Sequence, residues 1–462
     1  MYVKKLLIEN FRGIRKMELE LHPKMNVLIG VNGAGKSSVL DALATSLSWW
    51  DILWRDKHSK YLQLQQQARG ILGVTTQSWQ GESFTVDDIT NGVNSMSCAV
   101  QLHIDECQPD KQTWLRSGYD RNSGPQNSDT RSEPEYESLR QTFENILPYP
   151  VVYFPTDRTE RYFRDNSENH KSTIASIRNS ANYSDFLHWM KDCQNQEYVE
   201  FLKLGDVSPD PTSYQLPGVK AVKEAWTELF SNSITGFIVD EHNSKLCLLC
   251  RKNESAIYDT QFSGGEKAIL ALVGSLAYSY FLGYLSDQWF KTNTKSGVTL
   301  NLHGTVLIDE IDMHLHPQWQ RTILSKLQKI FPNTQFIVTT HSPQVVGEIG
   351  TEVGEIENGM GEIENVMGKI IPLQDGDNGI EVLPGDFNVL GQTSDVILED
   401  IMKTPKRNHK ITEKLRVIFK AIDANHLNEA RDLKEKLEKT TEGIPELAAI
   451  ELLLRRKEKF GK

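Results

Sequence analysis

Eight residues near the start of the chain, Gly30-Val31-Asn32-Gly33-Ala34-Gly35-Lys36-Ser37, follow the spacing G-x-x-x-x-G-K-[ST] between a strand-like and a helix-like run. Glycines at those positions let a turn aim successive N–H groups at phosphate oxygens, and the helix N-terminus that follows adds its partial positive charge. Lys36 brings a point charge to the terminal phosphates and Ser37 an oxygen to Mg²⁺. Gly30, Asn32, Gly33, Ala34, Gly35, Lys36, Ser37 and Ser38 are the candidate nucleotide-binding residues, with ATP and Mg²⁺ the expected ligands. Far along the chain, Val306-Leu307-Ile308 closes on two carboxylates, Asp309 and Glu310. At the end of a buried strand Asp309 would hold Mg²⁺ through water and Glu310 would polarise an attacking water.

Between these two elements stands Gln261-Phe262-Ser263-Gly264-Gly265-Glu266-Lys267, which a phosphate loop does not itself require. It resembles the signature motif of ABC-type ATPases, the group that includes the SMC, Rad50, RecF and OLD-like proteins. The resemblance implies that Ser263 and the backbone of Gly264 and Gly265 contact the γ-phosphate held by the loop of an opposite subunit, so the chain is expected to pair with itself as a homodimer or higher oligomer. It also implies a D-loop at Ile311 to Pro317 with Asp312 as its central residue, and a switch histidine, His341, within Thr339 to Pro343. Glu310, His341 and Lys36 are then the expected catalytic residues. Arg12 matches an N-terminal arginine that approaches nucleotide in the group, and fits a surface turn equally well. The Q-loop glutamine stays open among Gln65, Gln66, Gln67, Gln77, Gln101 and Gln141. His314 and His316, two apart on a loop without a further Cys or His, read as loop residues and not as a metal site.

These residues need elements to hold them. Val3, Leu6 and Ile8, Met17, Leu19 and Leu21, and Val27 to Ile29 predict three strands, and Val39, Leu40, Leu43 and Leu47 the helix after the loop. Further strands are expected at Met96 to Ile104, Tyr149 to Phe154, Thr305 to Ile308 and Gln335 to Thr340, with a hairpin over Ile234 to Arg251. Helices are expected over Tyr183 to Leu202, Val219 to Phe230, Ala268 to Leu285 and Trp319 to Phe331. Strands alternating with helices predict an α/β fold: a P-loop ABC ATPase head with a mostly parallel sheet, an inserted helical lobe and a C-terminal helical module. The boundaries expected are 1–350 for the core, with insertions at about 105–145, read as a long exposed loop, and 160–232; 351–393 for an acidic linker; and 394–462 for three short amphipathic helices. GEIEN occurs twice in the linker, at Gly354 and Gly361, a local duplication too short for a solenoid. Asp375-Gly376-Asp377 reads as a turn, and Cys247 and Cys250 as buried strand residues.

The net charge of −11 is matched by Thr351 to Asp400 alone, which carries twelve acidic residues against one basic, Lys369; the tail from Ile401 has sixteen basic against ten acidic. No apolar run approaches the roughly 20 residues of a membrane span. The start turns polar too soon for a signal peptide, and five cysteines fit a reducing compartment, so a cytoplasmic protein without a membrane partner is expected. The stretch Ser286 to Gly304 lengthens the path from signature to Asp309 beyond that of a transporter subunit, and no long heptad run separates the motifs as in SMC or Rad50. The layout is similar to ATPases of bacterial anti-phage defence, most of all the PtuA family of the Septu system, also found with retrons. That resemblance implies a separate HNH-type nuclease as partner, or DNA or a retron reverse transcriptase with its DNA. A RecF-like repair ATPase that binds DNA directly and an OLD-like nuclease are the alternative readings.

Overall fold

In this computed structural model, β1 (Tyr2–Phe11) and β2 (Ile14–Glu20) alternate buried and solvent-facing positions and pair antiparallel, the pattern of strands covered on one side. β3 (Met25–Ile29) is buried at every position and leads through the phosphate loop into α1 (residues 36–48), whose Val39, Leu40, Leu43 and Leu47 are fully buried. The residues described are 1–48, 84–103, 113–127, 151–156, 183–203, 215–283, 303–350, 366–376, 379–385, 387, 389, 391–405, 407–441 and 443–460. Outside them lie the GEIEN duplication, residues 128–145, lobe residues 160–182, the Ser286 to Gly304 stretch up to residue 302, and Gln65, Gln66, Gln67, Gln77 and Gln141.

β4 (Ser95–His103), β5 (Thr113–Asp120) and β6 (Gly124–Asn127) extend the first sheet in the order β2-β1-β4-β5-β6. Residues 113–127 are therefore a hairpin, which corrects the exposed-loop expectation over that part of 105–145. β5 holds its place through the main-chain ladder with β4, through Leu115 and Tyr119 packed half-buried against the core, and through close approach. A Cβ on Gly118 would lie 2.5 Å from the Met96 carbonyl oxygen, and the Ser117 hydroxyl meets that of Ser46 on α1 at 2.9 Å. α1 thus fills the space under the antiparallel sheet, in one apolar cluster with Leu6, Ile8, Cys98 and Val100.

β7 (Val151–Phe154) is buried throughout. α2 (Tyr183–Lys203) and α3 (Pro217–Leu229) form the helical lobe, followed by an antiparallel meander of β8 (Ile234–His242), β9 (Lys245–Lys252) and β10 (Ser255–Tyr258). α4 (Gly264–Gly283) begins inside the SGG turn and presses Gly274 against Phe186 and Trp226, where a Cβ would come within 3.0 and 3.2 Å of the two rings.

β11 (Gly304–Ile308), α5 (Pro317–Gln320), α6 (Ile323–Ile330), β12 (Thr334–Thr339), α7 (Pro343–Val346) and β13 (Ile349–Gly350) complete the central run. The single helix expected over Trp319 to Phe331 is two: the first is capped by the His316 ring, and Arg321 and Thr322 form a turn before the second. β11 and β12 are buried at every position, as strands inside a parallel sheet covered on both faces must be.

β14 (Val366–Gly376) and β15 (Gly379–Val382) correct the linker expectation for 351–393. β14 lies parallel to β3, with Ile370 beside Val27 and Pro372 beside Ile29, so the sheet order is β13-β14-β3-β12-β11-β7 with β15 on β14. Acidic composition hid this strand, because Ile370, Ile371 and Leu373 are buried by partners more than three hundred residues away. Asp375 and Gly376 stand at the end of β14, opposite Ile380 and Gly379 of the same hairpin.

A buried amide ties the two large sheets. Gln335, 1% exposed on β12, accepts from the Val3 N–H at 2.9 Å and from the Thr305 hydroxyl at 3.1 Å, and donates to the Val3 carbonyl at 2.8 Å and the His22 carbonyl at 3.0 Å. Satisfying β1's main chain from inside the neighbouring sheet fixes their register, since any slip would strand buried polar groups.

The chain divides into two compact units, Met1–Ser394 and Asp395–Lys462. The second contains α8 (His409–Asp423), α9 (Leu427–Glu438) and α10 (Pro445–Phe460), packed around Leu415, Ile418, Ile422, Leu437, Ile450 and Leu454. Ion pairs join its helices, Arg431 with Glu458 at the surface and the buried Lys434 with Glu451. No helix among the described residues is long and apolar enough to cross a membrane.

Candidate active site

β3, β12 and β11 are adjacent and parallel, so their C-terminal ends open on one edge of the sheet. In open α/β sheets that edge is where ligands bind. β3 delivers the phosphate loop there, β12 delivers Thr339, Thr340 and His341, and β11 delivers Asp309 and Glu310.

The loop turns through left-handed glycines, Gly33 at φ +86° and Gly35 at φ +81°. Gly33 has open space where a side chain would stand, and Asn32 and Ser37 are exposed while Ala34 is buried beneath them. Lys36 folds back: its ammonium donates to the Gly30 carbonyl at 3.0 Å and the Val31 carbonyl at 3.2 Å, with the side chain buried. Burial lowers its pKa, opposed by Asp309, Glu310 and Asp312, and that opposition places three carboxylates within electrostatic reach of the lysine. An anion in the loop would replace two carbonyls as the lysine's partner.

Asp309 is 3% exposed at the end of β11. The Thr339 hydroxyl donates to its Oδ1 at 2.6 Å and accepts the Glu310 N–H at 2.8 Å. Glu310 needs that second bond, for it sits at φ +48°, a left-handed conformation costing a non-glycine residue about 1–2 kcal/mol. Next along β12, the Thr340 hydroxyl donates to Asp312 Oδ1 at 2.5 Å, which also accepts the His341 N–H at 3.3 Å. The Ser342 hydroxyl donates to Gln320 Oε1 at 2.7 Å, and the Gln320 amide donates to the Leu315 carbonyl at 3.0 Å. One strand end thus positions both acids of β11 and the loop after them. Sequence reasoning named His341 here and passed over Thr339 and Thr340, although the run Thr-Thr-His-Ser was the signal.

Burial and the neighbouring Lys36 lower the His341 pKa, against the raising effect of Asp312, Glu310 and Asp309. The ring is held neutral near pH 7, with one nitrogen able to donate and the other to accept. Ser37 and Asp309 present a hydroxyl and a carboxylate, the hard oxygen donors that Mg²⁺ takes, so these residues fit that ion.

The SGG turn packs against the loop that follows Glu310. Ser263 and Gly264 are exposed at the start of α4. The Ser263 hydroxyl and N–H both donate to Glu266 Oε2 at 2.9 Å, a capping box that Lys252 anchors through Glu266 Oε1 at 2.5 Å. Burial alone would raise the Glu266 pKa, but hydrogen bonds from Lys252 and Ser263 outweigh it and lower the value. Gly265 is buried where a Cβ would lie 2.5 Å from the His314 carbonyl oxygen. The glycine therefore serves a close packing between the turn and the loop after Glu310.

Arg12 is clasped: Nη1 donates to Asp41 Oδ2 on α1 at 2.6 Å and Nε to Asp88 Oδ1 at 3.0 Å. Of the glutamines weighed for the Q-loop, Gln101 is buried on β4. His316 accepts the Gln318 N–H as a helix cap. Cys247 and Cys250 are buried on β9, and burial pushes the Cys250 thiol beyond reach of ionisation near neutral pH.

Two family models match parts of the chain, an AAA ATPase domain over residues 1–78 and an AAA domain described as a putative AbiEii toxin of a type IV toxin–antitoxin system over residues 251–347. Both sets of motifs fall within them, and the β14–β15 hairpin falls outside. The chain is 25% identical to the Retron Vc95 probable ATPase of Vibrio cholerae serotype O1 biovar El Tor, over 71% of this chain and 67% of that protein. It is 22% identical to the Septu protein PtuA of Bacillus thuringiensis, over 89% and 88% of the two chains. Among solved structures, an SMC head bound to the C-terminal winged-helix domain of ScpA aligns at a TM-score of 0.47 and 15% identity, covering 84% of this chain and 98% of that one. The phosphate loop, the paired acids, the SGG turn and the likeness to the PtuA and retron ATPases together support an ABC-type ATPase like PtuA.

Proposed function

We propose that this chain binds ATP with Mg²⁺, hydrolyses it, and serves as the ATPase of an anti-phage defence complex in which paired heads govern a partner nuclease of the HNH type. The observation that carries the reading is the convergence of Lys36, Asp309, Glu310, Asp312 and His341 at the ends of three adjacent parallel strands.

In this reading the backbone N–H groups from Gly33 to Ser37 cradle the β- and γ-phosphates, and Lys36 leaves the Gly30 and Val31 carbonyls to meet them. Ser37 and Asp309 hold Mg²⁺, which when bound neutralises charge on the phosphate oxygens. Glu310 orients a water in line with the γ-phosphate and accepts its proton. His341, neutral, donates a hydrogen bond to a γ-phosphate oxygen. The exposed Ser263 turn of a second copy closes the pocket from the other side, since a bare helix N-terminus suits an anion. Resemblance to PtuA and the retron ATPase supports the defence role.

Phosphate release from Mg-ATP by the purified chain tests the reading, with Lys36→Ala expected to abolish nucleotide binding and Glu310→Gln to bind ATP, stop turnover and accumulate the paired form by light scattering. If Glu310→Gln leaves turnover and association unchanged, the assignment of that carboxylate is wrong. Plasmid added to the same assay separates the other roles: cutting by the chain alone would favour an OLD-like nuclease, and ATP-dependent retention without cutting a RecF-like DNA binder.

A further inference from the structure

We propose that the β14–β15 hairpin is the floor that shapes the phosphate loop for nucleotide, with Ile380 as its positioning residue. The inference rests on the reading of that loop as the nucleotide site and extends it to a segment the motifs do not mark.

The hairpin touches the loop at its first and sixth residues. β14 runs beside β3, the strand that delivers the loop, and a Cβ on Gly30 would lie 2.4 Å from the Leu373 carbonyl oxygen. At the other end a Cβ on Gly35 would lie 2.5 Å from Ile380 Cδ1 and 3.1 Å from its Cγ2. The same Cδ1 methyl stands 2.8 Å from where a Cβ would sit on Gly13, so one methyl is wedged between the loop and the N-terminal turn. That turn is also held by the Ile380 N–H, which donates to the Gly13 carbonyl at 3.0 Å. Gly379, at φ +96°, lets the hairpin come close enough, since a Cβ there would be 2.6 Å from the Gly13 oxygen.

A ring of contacts results. The hairpin grips Gly13, Arg12 beside it grips Asp41 on α1, α1 continues from the loop, and the loop rests on the hairpin. Ile380 is 7% exposed and its side chain carries no polar group to offer a phosphate; it acts by holding Gly35 in the left-handed turn that aims the neighbouring N–H groups. A loop held in its bound shape has less to lose on binding. Trimming Ile380 therefore weakens the capture of ATP without touching the groups that cleave it.

The test is steady-state ATP turnover by the full chain with Ile380→Val, which removes Cδ1, Ile380→Ala, and Ile371→Val, which removes an equal methyl from the buried face of the same hairpin. Ile380→Val is expected to raise KM for ATP about threefold and Ile380→Ala about tenfold, with kcat within about twofold of wild type. Ile371→Val is expected to leave KM unchanged. An unchanged KM in Ile380→Val, or an equal rise in Ile371→Val, overturns the inference; if the alanine variant does not fold, the valine pair decides. If Lys36→Ala binds ATP as well as wild type, the reading of the loop itself fails, a result the hairpin variants alone would not give.

Discussion

The hydroxyl of Thr339 lies 2.6 Å from Asp309 Oδ1 and at the same time receives the Glu310 N–H, so one buried side chain on β12 orients both acids at the end of β11. Thr339→Val keeps the shape and deletes the hydroxyl. Asp309 then loses a charge-assisted donor and Glu310 loses the bond that holds its left-handed backbone. Turnover is expected to fall about 10- to 100-fold with a higher Mg²⁺ requirement, as when a partner behind a metal ligand is removed. Thr339→Ser should recover most of the activity. Mg²⁺ titrations of ATP hydrolysis check this, and wild-type turnover by Thr339→Val would remove Thr339 from the account.

Gln335→Leu is expected to destabilise the first unit by about 2–4 kcal/mol, because the Val3 N–H and C=O are buried with Gln335 and would lose it as a partner. Chemical denaturation measures the shift. A change below about 0.5 kcal/mol, the ordinary range of a surface substitution, would mean that the two sheets do not depend on this amide.

His341 gives a pH dependence of stated sign. Its folded-state pKa is lowered from 6.5, chiefly by burial and then by Lys36. A lowered value means the neutral ring's contribution to stability is complete above 6.5 and is lost as pH falls through the lower folded value. Turnover is accordingly expected to be level from pH 8 to 6.5 and to fall below that. His341→Ala should lower kcat about a hundredfold and abolish this acid limb. A limb that persists in His341→Ala belongs to another group.

The parts of the site that were legible in the sequence are those whose chemistry is local. Gly30 to Ser37, Asp309 with Glu310, and Ser263 to Gly265 announce themselves because each motif is a few consecutive residues with one geometric demand. The central strands were legible too, since β3, β11 and β12 each carry a consecutive apolar run, Val27 to Ile29, Val306 to Ile308 and Phe336 to Val338. What escaped depends on partners far along the chain. β14 pairs with β3 across more than three hundred residues, and its acidic surroundings spoke for a linker. β5 is held by a ladder, by the close approach of Gly118 and Ser117, and by Leu115 and Tyr119 only half-buried against the core, so its apolar signal is weak. Arg12 was open between nucleotide and turn, and its two carboxylates, Asp41 and Asp88, come from segments that nothing near Arg12 foretells.

The central claim is that Lys36 of one copy and Ser263 of another complete a shared pocket, and mixing two inactive variants tests it most directly. Lys36→Ala and Ser263→Arg are each expected to lack ATP turnover. In a mixed pair one pocket carries both lesions and the other carries neither, so each mixed pair should regain about half the wild-type rate, and an equal mixture pairing at random about a quarter. A mixture as inactive as its components, with both variants folded and associating, would contradict a pocket built from two chains.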